Sequence, residues 1–174
     1  MEELDAVTRK GGALEAFEQA RREGLTRYLG ITGHGVDAPM IYLEALRRFD
    51  FDSIMFPLNF VQMANPQYRK YAEDLIAVCK AKDVGTLIIK SITKAPWGER
   101  LHTAYTWYEP FERQEEIQKA VNFALSYDVT GLCTAGDTRI LPLVLRACEN
   151  FTRLSPPKLE EMIESGKQHE PLFS

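Results

Sequence analysis

At 174 residues, 45% of them hydrophobic and 26% charged, the chain is long enough to bury one core and too apolar for disorder. A formal charge of −4, from 21 basic and 25 acidic side chains, argues against a general nucleic-acid or membrane surface, both of which favour clustered Lys and Arg. No apolar run approaches the roughly 20 residues of a membrane helix, and the separated cysteines Cys79, Cys133 and Cys148, with no CxxC pair, point to a reducing, cytoplasmic setting.

The opening "MEELDAVTRK" is acidic and polar, unlike a signal or transit peptide. It reads as a segment connecting helices, with Met1 an internal methionine of a longer reading frame. Leu14, Phe17, Ala20 and Leu25 follow helical spacing in a segment that starts after the pair Gly11-Gly12 and stops near Gly24. Tyr28 to Thr32 predicts a strand. Asp37 or Ala38 then caps a helix entered through Pro39, with Leu43, Leu46 and Phe49 spaced by three, before "FDSIMFPLNF" returns to strand. After Asn65-Pro66, the residues Tyr68, Tyr71, Ala72, Leu75, Ile76 and Cys79 recur at three and four positions and predict one buried stripe.

"VGTLIIKSI" is a continuous apolar, β-branched run, as expected of a parallel strand in a barrel wall or between helix layers. Thr93 to Glu112, carrying Pro96, Trp97, Gly98, Trp107, Tyr108 and Pro110, has no helical period, and connections this long inside a compact domain are usually functional. Ile117, Val121, Ala124 and Leu125 restore the helical period. "VTGLCTAGD" is the fourth strand, and Ile140, Leu143, Val144, Ala147 and Phe151 form the helix after it, with Pro142 tolerated in the first turn. Ser155 as cap, Pro156 at the first helical position and a Leu154 to Leu159 staple close the chain with a tail helix.

Strict alternation with no hairpin signal predicts parallel strands joined by right-handed crossovers. "GITGHG" lacks the spacing of a GxGxxG phosphate turn, which speaks against an open doubly wound sheet. The fold class is therefore α/β, four parallel βα units and a tail helix over residues 1–174, half of a (β/α)₈ barrel. Half a barrel leaves the first and last strands with open edges and an inner face read as Ile31, Ile54, Leu87 and Leu132. Two copies closing on each other, a homodimer, would bury that face.

In a barrel, ligands bind at the strands' C-terminal ends, which brings Thr32-Gly33-His34-Gly35 into the wall of a site. His34 has a duller reading as a backbone hydrogen-bonding residue, and Asp137 and Thr138 another as helix caps. Lys90, a charge at the end of a buried strand, needs a partner and is read as facing a ligand. Trp97, Trp107 and Tyr108 fit a substrate lid and a packed excursion equally well. The three histidines His34, His102 and His169 have no metal-ligand spacing, and neither a GxSxG elbow nor a P-loop is present. The pairs Glu115-Glu116 and Glu160-Glu161 read as solvated charge.

"GALEAFEQARREGLTRYLGIT" resembles the aldo-keto reductases, and the succession continues: "FDSIMFP" looks like that family's sixth strand, "KDVGTLIIKSI" its seventh, and "VTGLCTAGDTRILPLVLRACENFTRLSPPKLEEM" its eighth strand, phosphate-side loop, last barrel helix and tail. The resemblance implies the C-terminal half of a TIM barrel and NAD(P)H-dependent reduction of a small-molecule carbonyl to an alcohol. It also implies that the catalytic tetrad of Asp, Tyr, Lys and His belongs to the first four strands, so no catalytic residue is expected in this chain. Thr32 falls where the family has a Ser, and Gly33 replaces the Asn that holds the nicotinamide carboxamide, with His34 next to it. Phe56 lies near the nicotinamide-binding Gln, and Ile89, Lys90 and Ser91 near the stacking Tyr and the Ser after it. Thr134, Gly136, Asp137 and Thr138 match the phosphate loop, while Trp97, Trp107 and Tyr108, singled out by their long aperiodic connection, are the candidate substrate pocket. Arg139 is the basic residue nearest to an adenosine 2′-phosphate, leaving NADP(H) and NAD(H) both open. Two other readings are a non-catalytic nicotinamide-binding module, as in potassium-channel beta subunits, and a phosphate-binding barrel isomerase or aldolase.

Overall fold

The computed structural model describes all 174 residues. In chain order it runs α1 (Glu2–Thr8), α2 (Ala13–Arg22), β1 (Gly30–Thr32), α3 (Ala38–Arg48), β2 (Ser53–Pro57), a 3₁₀ turn (Gln62–Ala64), α4 (Pro66–Lys82), β3 (Gly85–Ile89), β4 (Thr93–Ala95), β5 (Glu109–Pro110), α5 (Gln114–Ser126), β6 (Gly131–Leu132), α6 (Leu141–Glu149) and α7 (Pro156–Gly166). The strands β1, β2, β3 and β6 form one parallel sheet in that order. Helices between successive parallel neighbours are the crossovers that the alternation requires.

The register decides which side chains share a face. Ile31 pairs with Ile54 and Ile54 with Thr86, while Phe56 pairs with Ile88 and Ile88 with Leu132. Ile54, Phe56 and Ile88 are 0% exposed, because this is the face that the helices cover. Met55, Leu87 and Ile89 alternate with them, point to the opposite face and are only half-buried. The expected inner face of Ile31, Ile54, Leu87 and Leu132 is therefore corrected: of the four only Leu87 lies on it. The other three pack with the helix layer. A one-residue error in alternation moves a whole set of side chains to the wrong face, and a continuous apolar run does not reveal the phase.

The best-defined helix is α4. Its cap, Asn65, accepts hydrogen bonds from the Gln67 and Tyr68 amides at 3.0 and 3.1 Å, and Pro66 occupies the first turn. Such a cap contributes about 1 kcal/mol. Tyr68, Ala72, Leu75 and Cys79 are 0% exposed, and the Tyr68 hydroxyl donates to the Pro57 carbonyl, fastening the helix to the end of β2. Tyr71, expected on the same stripe, is half-buried. The tail helix α7 packs on the 3₁₀ turn, and Gly166 lies so close to the Phe60 carbonyl that a side chain there would collide.

Other expectations change as well. The N-terminal segment is the helix α1 rather than a connection: Leu4 is buried, Asp5 pairs with Arg48 at 2.5 Å, and acidic residues in the first turn favour the positive end of the helix dipole. Phe17 is 57% exposed and Leu25, beyond the end of α2, is 76% exposed, so the apolar stripe of that helix is narrower and shorter than the spacing implies. The first strand begins at Gly30, leaving Tyr28 exposed. The Thr93 to Glu112 excursion is not free of sheet: β4 and β5 pair antiparallel, Thr93 with Pro110 and Ala95 with Glu109. Ser155 starts α7 without a side-chain cap bond. No helix is long and apolar enough to cross a membrane.

Candidate functional site

The last residue of β3 is Ile89, and Lys90 follows it in the left-handed region at φ 59°, a conformation that costs a residue with a Cβ roughly 1 kcal/mol or more. Asn59, itself buried, donates to the Lys90 carbonyl at 3.0 Å and accepts the Gln62 amide at 2.7 Å, which holds the bend. Lys90 is 6% exposed. Its Nζ lies 2.9 Å from His34 Nδ1 and 4.4 Å from the centre of the Trp107 ring, with Phe173 at 5.8 Å. Since an ammonium only donates, Nδ1 accepts and the imidazole proton sits on Nε2. No carboxylate lies within ion-pair distance of this lysine. Burial lowers its pKa to about 8. Burial, followed by the nearby Lys90 charge, also lowers that of His34, so the imidazole is neutral at pH 7.

Lys90 and Trp107 face a cavity of about 940 Å³ at the ends of β3 and β6, walled by the excursion on one side and the loop after β6 on the other. Lys90, Trp107, Tyr108, Thr134, Gly136 and Arg139 line it. The space where Gly136 would carry a Cβ is open, so a ligand can reach the backbone there.

Asp137 behaves differently from its expected part in a phosphate loop. One carboxylate oxygen accepts the Arg139 amide at 2.8 Å and Arg139 Nε at 3.1 Å; the other accepts Arg139 Nη2 at 2.6 Å and the Tyr105 amide at 2.7 Å. The Ile140 and Leu141 amides are taken by the Asp137 carbonyl. The loop entering α6 thus already holds an anion, its own. The Arg139 guanidinium first, then the two amides, hold this carboxyl well below its usual range. A carboxylate with a depressed pKa stabilises the fold in full above its unfolded value of 3.8, and the contribution drains away as the pH falls below that. Asp137→Asn should therefore flatten the acid dependence of amide exchange at Tyr105 and Arg139, and unchanged acid sensitivity would place the proton uptake elsewhere.

The remaining site expectations divide. Thr32 is exposed at the end of β1, and neither it nor Gly33 lines the cavity; His34 reaches it through Lys90. The Tyr42 hydroxyl occupies the place of a Cβ on Gly33, so an Asn there has no room. Phe56 is fully buried on the helix side and cannot touch a ligand, and Ser91 is 2% exposed. Thr138 is exposed outside the cavity lining. Trp97 is a structural post rather than a pocket wall: its Nε1 donates to the Thr106 carbonyl at 2.7 Å and its ring stacks on His102 at 4.5 Å. The sequence reading missed Gln62, which donates to the Phe173 carbonyl at 2.9 Å and accepts its amide at 3.3 Å, latching the C-terminus beside Lys90. No local pattern connects residues so far apart in the chain.

Neither a family model nor a curated protein matches the sequence. Solved structures do. The holo form of the aldo-keto reductase AKR11C1 from Bacillus halodurans superposes with a TM-score of 0.59 at 20% identity, over 92% of this chain and 54% of that one. Its apo form gives 0.59 at 17% identity, over 92% and 57%. The fold is the C-terminal half of an aldo-keto reductase barrel. This chain spans just over half the length of those structures.

Within that half-barrel, the residues present can be weighed against the nicotinamide dinucleotide that the resemblance implies. They fit at Lys90, a buried cation with no acid beside it, and at Gly136, where the backbone is open. They do not fit in the loop entering α6, where the Asp137 carboxylate takes the Tyr105 and Arg139 amides and its carbonyl takes those of Ile140 and Leu141.

Proposed function

We propose that this chain is the cofactor-side half of an NAD(P)H-dependent carbonyl reductase of the aldo-keto reductase family, acting in the cytoplasm on small-molecule aldehydes or ketones. Lys90 would face the cofactor's negative charge, with Thr134, Gly136 and Arg139 along the opposite wall and Trp107 and Tyr108 shaping the substrate's side. The cofactor, when bound, supplies a hydride to the carbonyl carbon. The proton donor and its partners belong, by the resemblance, to strands this chain does not span. The observation that carries the reading is the buried Lys90 ammonium without a counter-ion, at the strand ends of an aldo-keto-reductase-like half-barrel.

Titration of the Trp107 fluorescence with NADPH tests it. Saturable binding is expected, weakened by roughly 1.5–3 kcal/mol in Lys90→Met, the range for hydrogen bonds to charged groups. The chain on its own should not oxidise NADPH in the presence of generic aldehydes. Turnover that disappears on changing a residue of this chain would place a proton donor inside it, and equal NADPH affinity for Lys90→Met would remove Lys90 from the cofactor site. A second reading is a nicotinamide-binding module that does not turn over, which would use the same Lys90 and Gly136 walls and need no proton donor. Reconstitution with the complementary strands separates the two by turnover. Binding of a sugar phosphate in preference to NADPH would instead favour a phosphate-binding isomerase or aldolase.

A further inference from the structure

We infer that Lys90 is a carbonyl-reactive amine, forming an imine through Nζ with a small aromatic aldehyde that enters the cavity at the ends of β3 and β6. The inference goes beyond the reductase reading and requires no cofactor. It starts from a contrast among the lysines. Lys70 is ion-paired to Asp74 at 2.7 Å, Lys80 to Asp128 at 2.5 Å, Lys94 to Glu109 at 2.5 Å, and Lys158 to Glu161 at 2.6 Å. Lys90 has instead a neutral imidazole at 2.9 Å, the face of Trp107 at 4.4 Å and 6% exposure. It is the buried one that borders a cavity of about 940 Å³.

A nucleophilic lysine needs an unprotonated amine, a route for the proton and room for the electrophile. Burial without a carboxylate provides the first, and a pKa of about 8 leaves roughly a tenth of the amine free at pH 7. The His34 Nδ1, already accepting from Nζ, provides the second. The cavity provides the third, and the Trp107 and Tyr108 rings that line it select a flat, apolar electrophile. The Nζ lone pair attacks the carbonyl carbon, a C–N bond forms, and a proton passes from nitrogen to oxygen by way of His34. The nitrogen lone pair then expels the oxygen as water. Both amine hydrogens leave with that water, a C=N bond replaces C=O, and nothing is oxidised or reduced.

Reductive trapping decides the matter. The folded chain is incubated with benzaldehyde and sodium cyanoborohydride, which reduces an imine to a stable benzylamine, and the labelled peptides are mapped by mass spectrometry over time. Lys90 is expected to label at least about tenfold faster than Lys70, whose amine Asp74 holds protonated above its ordinary value, because the several-hundredfold larger fraction of free amine outweighs the lower nucleophilicity of a weaker base. Lys90→Arg, with a circular dichroism spectrum like that of the parent, should lose the fast label. His34→Phe should slow labelling of Lys90 and leave Lys70 unchanged. Labelling of Lys90 no faster than of the ion-paired lysines overturns the proposal, as does a fast label that persists in Lys90→Arg. A parallel series with saturating NADPH separates this from the reductase reading. Protection supports both. Fast labelling without protection supports the imine and removes Lys90 from the cofactor site. NADPH binding with no fast label overturns the imine and leaves the reductase reading in place.

Discussion

Lys90→Met is expected to gain stability relative to the parent at pH 7 and to lose that advantage as the pH rises. The parent carries a buried ammonium whose pKa falls from 10.5 to about 8 on folding. Between those values the unfolded chain holds a proton that the folded chain has released, so the parent's stability rises with pH across that window. Below pH 8 both states are protonated, and the folded one bears the full cost of the buried charge. At about 1.4 kcal/mol per pKa unit, the difference between parent and variant should change by about 3 kcal/mol between pH 7.5 and 10.5. The aromatic contact to Trp107 returns part of the cost, about 1 kcal/mol for such pairs, and is already contained in the net pH dependence. Urea titrations of the two proteins at several pH values read this difference directly, because groups elsewhere cancel. A flat difference would mean that Lys90 titrates normally and that its environment is wetter than the geometry shows. A residue that costs stability and is nevertheless placed at a bend in the left-handed region is best explained by its work in the cavity.

The second large effect is expected on β2, where neighbouring residues face opposite ways. Phe56→Ala removes a ring that is 0% exposed and wedged between the sheet and its helices, and should cost about 3–5 kcal/mol. Met55→Ala, one position away on the inner face, should cost about 1 kcal/mol, since its side chain lies outside the buried core. The pair also reports on assembly. A cost at Met55 comparable to that at Phe56, rising with protein concentration, means that a second copy covers the inner face, as the proposed homodimer requires. Equal costs independent of concentration would show that the assignment of the two faces is wrong.

How far the site was legible follows from where its residues lie along the chain. Lys90 stood out because a charge interrupts an apolar strand, a local anomaly with a general physical meaning. Trp107 and Tyr108 stood out because a long aperiodic connection rich in aromatics is rarely idle. Phe56 was misplaced because a strand buried on one face and half-covered on the other carries the same apolar residues on both. Asp137 was read as part of a phosphate cradle because an acid before a helix looks alike whether it leaves the amides free or binds them itself. Only the position of Tyr105, brought over from the excursion, shows that this carboxylate is already engaged.

The alternation of helices and strands, the parallel sheet and its half-barrel extent were determined by the sequence alone, because periodicity, caps and crossover handedness act over a few residues or through rules that hold for nearly every chain. The tertiary structure decided the rest: which face of the sheet the helices cover, that His34 rather than an acid meets Lys90, that Gln62 ties down Phe173, and that Asp137 fills the loop entering α6. Each of these is a contact between residues on separate elements or a choice between two faces equal in composition. Packing settles such choices through burial and hydrogen-bond satisfaction summed over the whole chain, and no short stretch of sequence records that sum.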